Sequence, residues 1–445
     1  VQAFGVLSNK SPNQLVNERG ITKMRGKTHS IGLRAVLAVF ALTLFAAETA
    51  ASQEKVLYSF YNSGGAVLPV AGVISDASGN LYGTAFYGGT YDNGMVFELT
   101  PTATGWNKTV LYSFNPNGID GFGATGGLVF DASGNLFGTT EFGGTGDCTN
   151  GFGCGTVFEL SPSANGHWTE TIVHDFQGYD GWEVHAGLIV DGAGNFYGTT
   201  ANGGTYGQGT AFELSRAGGS WTVTTLHQFT GGYDGGVPFS GLRLDAAGNL
   251  YGMTYEGGGK SAGCRYGCGT VYELHRFKGG NWSEKVLHSF SQNGADGRYP
   301  NGGLIFDGSG NLYGVAGAGG GKPGYGIVFE LTPATDGSWT ESVLHNFNDQ
   351  QPDGIGPSGN LLFDSSGNLY GVTIAGGTHS HGTAFELSPA AGGSWTETTL
   401  HNFSNNDGDG YNPVSGLMLD SSGNLYGTTG SGGYYGQGSV YEITP

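Results

Sequence analysis

The chain has 445 residues, a formal charge of −19, 88 glycines, 14 prolines and an aromatic share of 13%. That much aromatic side chain argues against intrinsic disorder, and glycine without a three-residue period argues against collagen. The acidic balance argues against nucleic acid and anionic membranes as partners, because both need a basic footprint.

Residues 1–51 differ in kind from the rest. Met24, Arg25, Lys27 and Arg34 mark a basic region, and residues 35–47 form an apolar run too short to span a bilayer comfortably. Thr49-Ala50-Ala51 then supplies small residues for cleavage. The pattern predicts a secretory signal peptide within an N-terminal extension, removed on export, with a membrane anchor as the rival reading. The signal-like Met24 behind a chain that begins at Val1 suggests an over-extended reading frame. Residues 1–51 hold six basic and two acidic residues, so the remainder has a formal charge near −23. Residues 52–445 are expected to form one domain.

From there one phrase recurs: a short apolar run, an Asp, a small-residue turn, then Gly-Asn-Leu-Tyr-Gly with minor drift. The anchoring aspartates are Asp76, Asp131, Asp191, Asp245, Asp307, Asp364 and Asp420, spaced 54 to 62 residues apart. The second copy shows the full unit. Gly127-Leu128-Val129-Phe130 reads as a first strand and Leu136-Phe137-Gly138-Thr139-Thr140 as a second. Thr156-Val157-Phe158-Glu159-Leu160 reads as a third, and Thr169-Glu170-Thr171-Ile172-Val173-His174 as a fourth. Alternation, short lengths and glycine punctuation favour β over helix. The Asp and Ser of each turn can bond its backbone, and its Gly can take a positive φ.

Four-stranded repeats of this kind describe propeller blades, here lengthened by two extended loops. The seventh copy stops at Val440-Tyr441-Glu442-Ile443-Thr444-Pro445 without its fourth strand, which stands instead near the start as Val56-Leu57-Tyr58-Ser59-Phe60. The expectation is an all-β, seven-bladed β-propeller of four-stranded blades, closed by an N-terminal strand that completes the C-terminal blade. Trp106, Trp168, Trp221, Trp282, Trp339 and Trp395 begin the fourth strands and are expected to pack between blades. His174, His227, His288, His345 and His401, with Tyr58 and Tyr112 at the same position, read as packed polar aromatics.

Four cysteines form two local pairs, Cys148 with Cys154 and Cys264 with Cys268, in matching loops. In an exported chain these are disulfides by default.

The string Asp-x-x-Gly-Asn-Leu-Tyr-Gly-Thr, then Gly-Thr-Val-Phe-Glu-Leu-Thr-Pro, then Trp-Thr-Glu-x-Val-Leu-His-x-Phe, resembles the GloVer tandem repeat. That repeat occurs in exported bacterial proteins called choice-of-anchor GloVer-containing proteins. The resemblance covers nearly all of the chain after the signal-like segment. It implies extracellular location and a propeller-like repeat, and no activity. Some members end in an anchoring segment, and none is visible before Pro445.

Candidate sites are the residues that break the repeat on the face carrying the variable loops. Trp182 is off the pattern, in Asp180-Gly181-Trp182-Glu183-Val184-His185, an aromatic plane among acids and an imidazole that suits sugar binding or acid/base work. The loops after the second strands place Phe86-Tyr87, Glu141-Phe142 and Tyr255-Glu256 in blades 1, 2 and 4, whereas blades 5 to 7 carry small or aliphatic residues there. This predicts a lopsided platform. Phe86, Tyr87, Phe142, Asp180, Trp182 and Tyr255 are its ligand-binding candidates. Glu141, Glu183, His185 and Glu256 are the catalytic candidates, and two of the carboxylates could form a glycosidase pair.

The Asp repeated in the between-blade loops (Asp120, Asp180, Asp234, Asp296, Asp353, Asp409) reads as a turn device. Its rival is calcium, because Asn405, Asp407 and Asp409 have the oxygen spacing that opens a calcium loop, though the closing Glu is missing. His379 and His381 could contribute to a transition-metal site. The function expected is a binding or scaffold module for a carbohydrate or a cell-surface ligand, acting as a secreted monomer without a cofactor. The alternatives are a glycoside hydrolase or polysaccharide lyase, and a structural envelope or matrix protein.

Overall fold

A computed structural model describes residues 52–61, 67–148, 151–259, 263–322, 324–406 and 408–445. The signal-peptide reading and Asp407 lie outside the described residues. The described chain is all β, arranged as a seven-bladed propeller of small antiparallel sheets. Among the described residues no helix is long and apolar enough to cross a membrane.

Blade 2 shows why the repeat folds as it does. Val129–Phe130 pairs with Leu136–Thr140, which pairs with Thr156–Pro162, which pairs with Trp168–Asp175. The turn after the first strand is built by its aspartate. In blade 1, Asp76 Oδ1 accepts from the Ser78 and Asn80 amides at 2.8 and 2.9 Å. Its Oδ2 accepts from Asn80 Nδ2 at 2.9 Å and the Tyr82 hydroxyl at 3.1 Å. Burial works to raise the Asp76 carboxyl, but these hydrogen bonds outweigh it and hold it below the ordinary range. The glycine of Leu-Tyr-Gly is required by close packing: a Cβ on Gly138 would lie 2.4 Å from Phe158 Cζ.

The ring closes as expected. Gln53–Ser59 pairs antiparallel with Ser439–Thr444, supplying the fourth strand of blade 7. Each fourth strand carries an irregularity against the third, between Val157 and Phe158 in blade 2, which twists its far end. Fourth strands of successive blades touch around the ring, including Trp395–Asn402 against Gln53–Ser59 and Gln53–Ser59 against Gly105–Ser113.

The hydrophobic core is divided into seven clusters, each shared by two neighbouring blades. At every seam the Phe just after a fourth strand meets the third-strand aromatic of the next blade edge-on. The seven pairs run from Phe60–Phe97 and Phe114–Phe158 to Phe403–Tyr441, with centroids 5.0 to 5.3 Å apart. The repeated tryptophans pack on the preceding blade, as Trp168 does on Tyr82 and Trp221 on Phe137. A blade alone would expose these faces, so stability comes from the closed stack.

Candidate functional site

The between-blade loops carry a second repeated feature, one that has no constant residue type. Leu68, Gly123, Glu183, Val237, Tyr299, Gly356 and Asn412 occupy equivalent positions, all with φ between 51° and 70°. A non-glycine residue in this conformation costs about 1–2 kcal/mol. The surroundings hold it there: the Glu183, Val237 and Tyr299 amides donate to the Cys154, Gln208 and Cys268 carbonyls of the preceding blade at 3.3, 2.9 and 2.8 Å. Their own side chains, those two residues later, and those ending the second strands then share one rim.

On blades 2 to 5 this rim is both acidic and aromatic. His185 Nδ1 lies 3.5 Å from Glu141 Oε2, and His185 Nε2 lies 3.9 Å from Glu183 Oε2. These are ion-pair separations, longer than good hydrogen bonds. Asn202 Nδ2 donates to Glu183 Oε2 at 2.5 Å and orients it. Burial pushes the Glu141 carboxyl above its ordinary range; His185 partly offsets this and Glu183 adds to it. The His185 ring meets Phe239 at 4.8 Å, Phe239 meets Tyr255 at 5.4 Å, and Tyr255 stacks on Tyr299 at 4.9 Å and 23°. Glu141, Glu183, His185 and Tyr255 therefore belong to one strip, joined by Phe239.

Phe86, Tyr87 and Phe142 belong to an aromatic group of their own. Phe86 contacts Tyr87 at 4.6 Å and Phe142 at 6.4 Å, and Phe142 stacks with Phe122 at 5.1 Å. Phe152 completes this aromatic group and is 60% exposed.

Trp182 and Glu256 have other neighbours. Trp182 bridges Asn202 through the backbone and packs on the cluster holding Cys154, Phe176 and Val184. Glu256 lines a cleft of about 1080 Å³ with Asn202, Tyr233, Val237, Arg265 and Tyr266, and burial raises its carboxyl.

Asp180 serves its turn. It accepts from the Gln177 amide at 2.9 Å and meets His174 Nε2 at 2.8 Å. Burial tends to raise it, but these bonds outweigh that and hold it below the ordinary range. The pattern is general: the patterned His or Tyr of a fourth strand meets the loop Asp, as the Tyr112 hydroxyl does Asp120 at 2.7 Å. Asp409 accepts from the Ser404 amide at 2.8 Å and faces His401 Nε2 at 3.2 Å. Both disulfides, Cys148–Cys154 and Cys264–Cys268, are formed.

Sequence reading missed Phe239, Tyr299, Phe122 and Asn202. The signal for Phe239 and Tyr299 was present in the between-blade loops, where both replace smaller or aliphatic residues of other copies.

Fold and rim together define a tandem-repeat β-propeller with one chemically distinct arc. The chain belongs to the Gloeobacter/Verrucomicrobia repeat family, which matches residues 23–264, 148–350 and 260–445 in overlapping stretches. Comparison with curated proteins gives no match. Among solved structures, the chain is similar to the extracellular domain of a putative hybrid two-component system from B. thetaiotaomicron. That likeness has 12% identity and a TM-score of 0.53, covering 87% of this chain and 39% of that one. It is also similar to a putative 6-phosphogluconolactonase from Bacteroides uniformis, with 12% identity, a TM-score of 0.48 and coverage of 82% and 98%. At such identities the likeness concerns the fold alone.

Proposed function

We propose that this propeller is an exported binding module whose rim on blades 2 to 5 takes a carbohydrate or a cell-surface ligand. The observation that carries the reading is the continuous strip from Glu141, Glu183 and His185 through Phe239 to the stacked Tyr255 and Tyr299. Aromatic faces pack against the C–H faces of a sugar ring, while carboxylates and amides accept or donate to its hydroxyls. A formal charge of −19 supports a neutral or cationic ligand over a polyanion, and two disulfides suit an oxidising compartment. Glycan-array binding tests the reading. Specific binding lost in Tyr255→Ala and Phe239→Ala supports it, and no glycan bound by the folded protein counts against it, leaving a structural role.

One observation favours a hydrolytic alternative. Glu141 is held towards its protonated form by burial, beside His185 and a second carboxylate, Glu183. A general acid requires that state. Product release from bound glycan, abolished in Glu141→Gln with binding retained, would establish this reading over simple binding.

A further inference from the structure

At six of the seven seams three positions stand together in the repeat. They are the fourth strand's patterned His or Tyr, the Asp of the following loop, and the residue two past the Trp position of the next blade, which in blade 7 is Glu54. At the seam of blades 4 and 5 these are His288, Asp296 and Glu341; at the seam of blades 6 and 7 they are His401, Asp409 and Glu54. In each set one ligand atom from every residue lies within 4.8 Å of the others. His288 Nε2 is 3.4 Å from Asp296 Oδ1 and 3.9 Å from Glu341 Oε1, and His401 Nε2 is 3.2 Å from Asp409 Oδ2.

Glu341 Oε1, Glu54 Oε1 and Asp409 Oδ1 are buried without a hydrogen-bond partner. A carboxylate oxygen removed from water and left unsatisfied is costly. A tetrahedral ion with bonds of about 2.1 Å sets its ligands about 3.4 Å apart, close to the spacings observed.

We propose that these two seams each bind a divalent transition-metal ion, zinc being the best match, through one imidazole nitrogen and two carboxylate oxygens. The imidazole disfavours calcium and magnesium, which take oxygen ligands. Three other seams lack at least one of these ligands. Val223 replaces the Glu beside His174 and Asp180, and Tyr112 replaces the His beside Asp120 and Glu170. Lys108 stands where the ring closes at Tyr58, with its ammonium 5.7 Å from that ring. The seams of His227, Asp234 and Glu284 and of His345, Asp353 and Glu397 keep all three residue types, but their ligand atoms are not gathered within 4.8 Å of one another. The ion between blades 6 and 7 ties Trp395–Asn402 to Gln53–Ser59 and thus braces the ring closure.

The test is zinc titration of the chelator-treated full chain by calorimetry, with cobalt substitution read by visible absorption. Two equivalents are expected, and zinc should raise the melting temperature. His288→Tyr and His401→Tyr suit the purpose, because Tyr58 and Tyr112 already occupy the same position in this ring. Each should lower the stoichiometry by one, and the double variant should bind none. Glu341→Gln should weaken its site at least tenfold, whereas His379→Ala with His381→Ala should leave two equivalents. Failure to bind zinc or cobalt, or binding unchanged in the folded double variant, overturns the proposal. Glycan binding is read separately and is independent of this outcome.

Discussion

Gln53 faces Thr444 across an antiparallel ladder, although the two stand at opposite ends of the described chain. The seam clusters on both sides of blade 7 depend on that pairing. Leu57 and Phe60 belong to the cluster shared with blade 1, and Phe60 is fully buried against Phe97. Phe60→Ala is expected to lower unfolding stability by about 3–5 kcal/mol and Leu57→Ala by about 2–4 kcal/mol, measured by denaturant titration. Deleting residues 52–60 should abolish cooperative unfolding.

The turn aspartates should behave as near-independent units. Asp307 accepts two amides at 2.8 and 2.9 Å and the Asn311 side chain at 2.9 Å. Asp307→Ala should cost about 1–3 kcal/mol, since it leaves several donors without their acceptor. Combined with the distant Asp76→Ala, the losses should add to within about 0.5 kcal/mol.

Glu170 gives a pH signature. Burial, with Asp120 adding to it, pushes its carboxyl to about 7 from an ordinary 4.5. A raised folded-state value means that the fold keeps a proton the unfolded chain sheds. The contribution is therefore complete below pH 4.5 and lost as pH rises through 7. Glu170→Gln, which mimics the protonated form, should match the parent near pH 4.5 and exceed it at pH 8 by roughly 1–2 kcal/mol, allowing for partial solvent screening. Thermal melts at both values check this.

Trp182 and Tyr255 should separate cleanly. Trp182→Ala removes packing on the core cluster shared by blades 2 and 3 and should cost about 3–4 kcal/mol of stability while glycan binding persists at temperatures where the fold survives. Tyr255→Ala breaks the stack with Tyr299 at the rim and should weaken binding about tenfold or more. Paired melting and binding curves distinguish the two.

Reduction of both disulfides should be mild. They close loops with sequence separations of only 6 and 4, so chain-entropy arguments give about 2 kcal/mol each. A melt with and without reductant measures the loss.

Much of the fold was legible because each repeat states it again. The aspartates set the blade count, and the missing fourth strand of copy seven identified the closing strand. The regular Trp positions separated packing residues from candidates. Less of the site was legible. Glu141, Glu183, His185 and Tyr255 stand out in the sequence as breaks in the repeat, but that Phe239 links His185 to Tyr255 shows only in the structure.

The sequence alone determined what recurs: blade number, register, the turn aspartates and the strand that closes the ring. These depend on local spacing and alternation, which a one-dimensional pattern records. The tertiary structure alone decided which residues meet. The positive φ of Glu183 is held by a carbonyl of the preceding blade. Glu54 reaches His401 and Asp409 because the last blade closes on the first strand. Contacts between blades join residues dozens or hundreds of positions apart, so only the closed ring could reveal them.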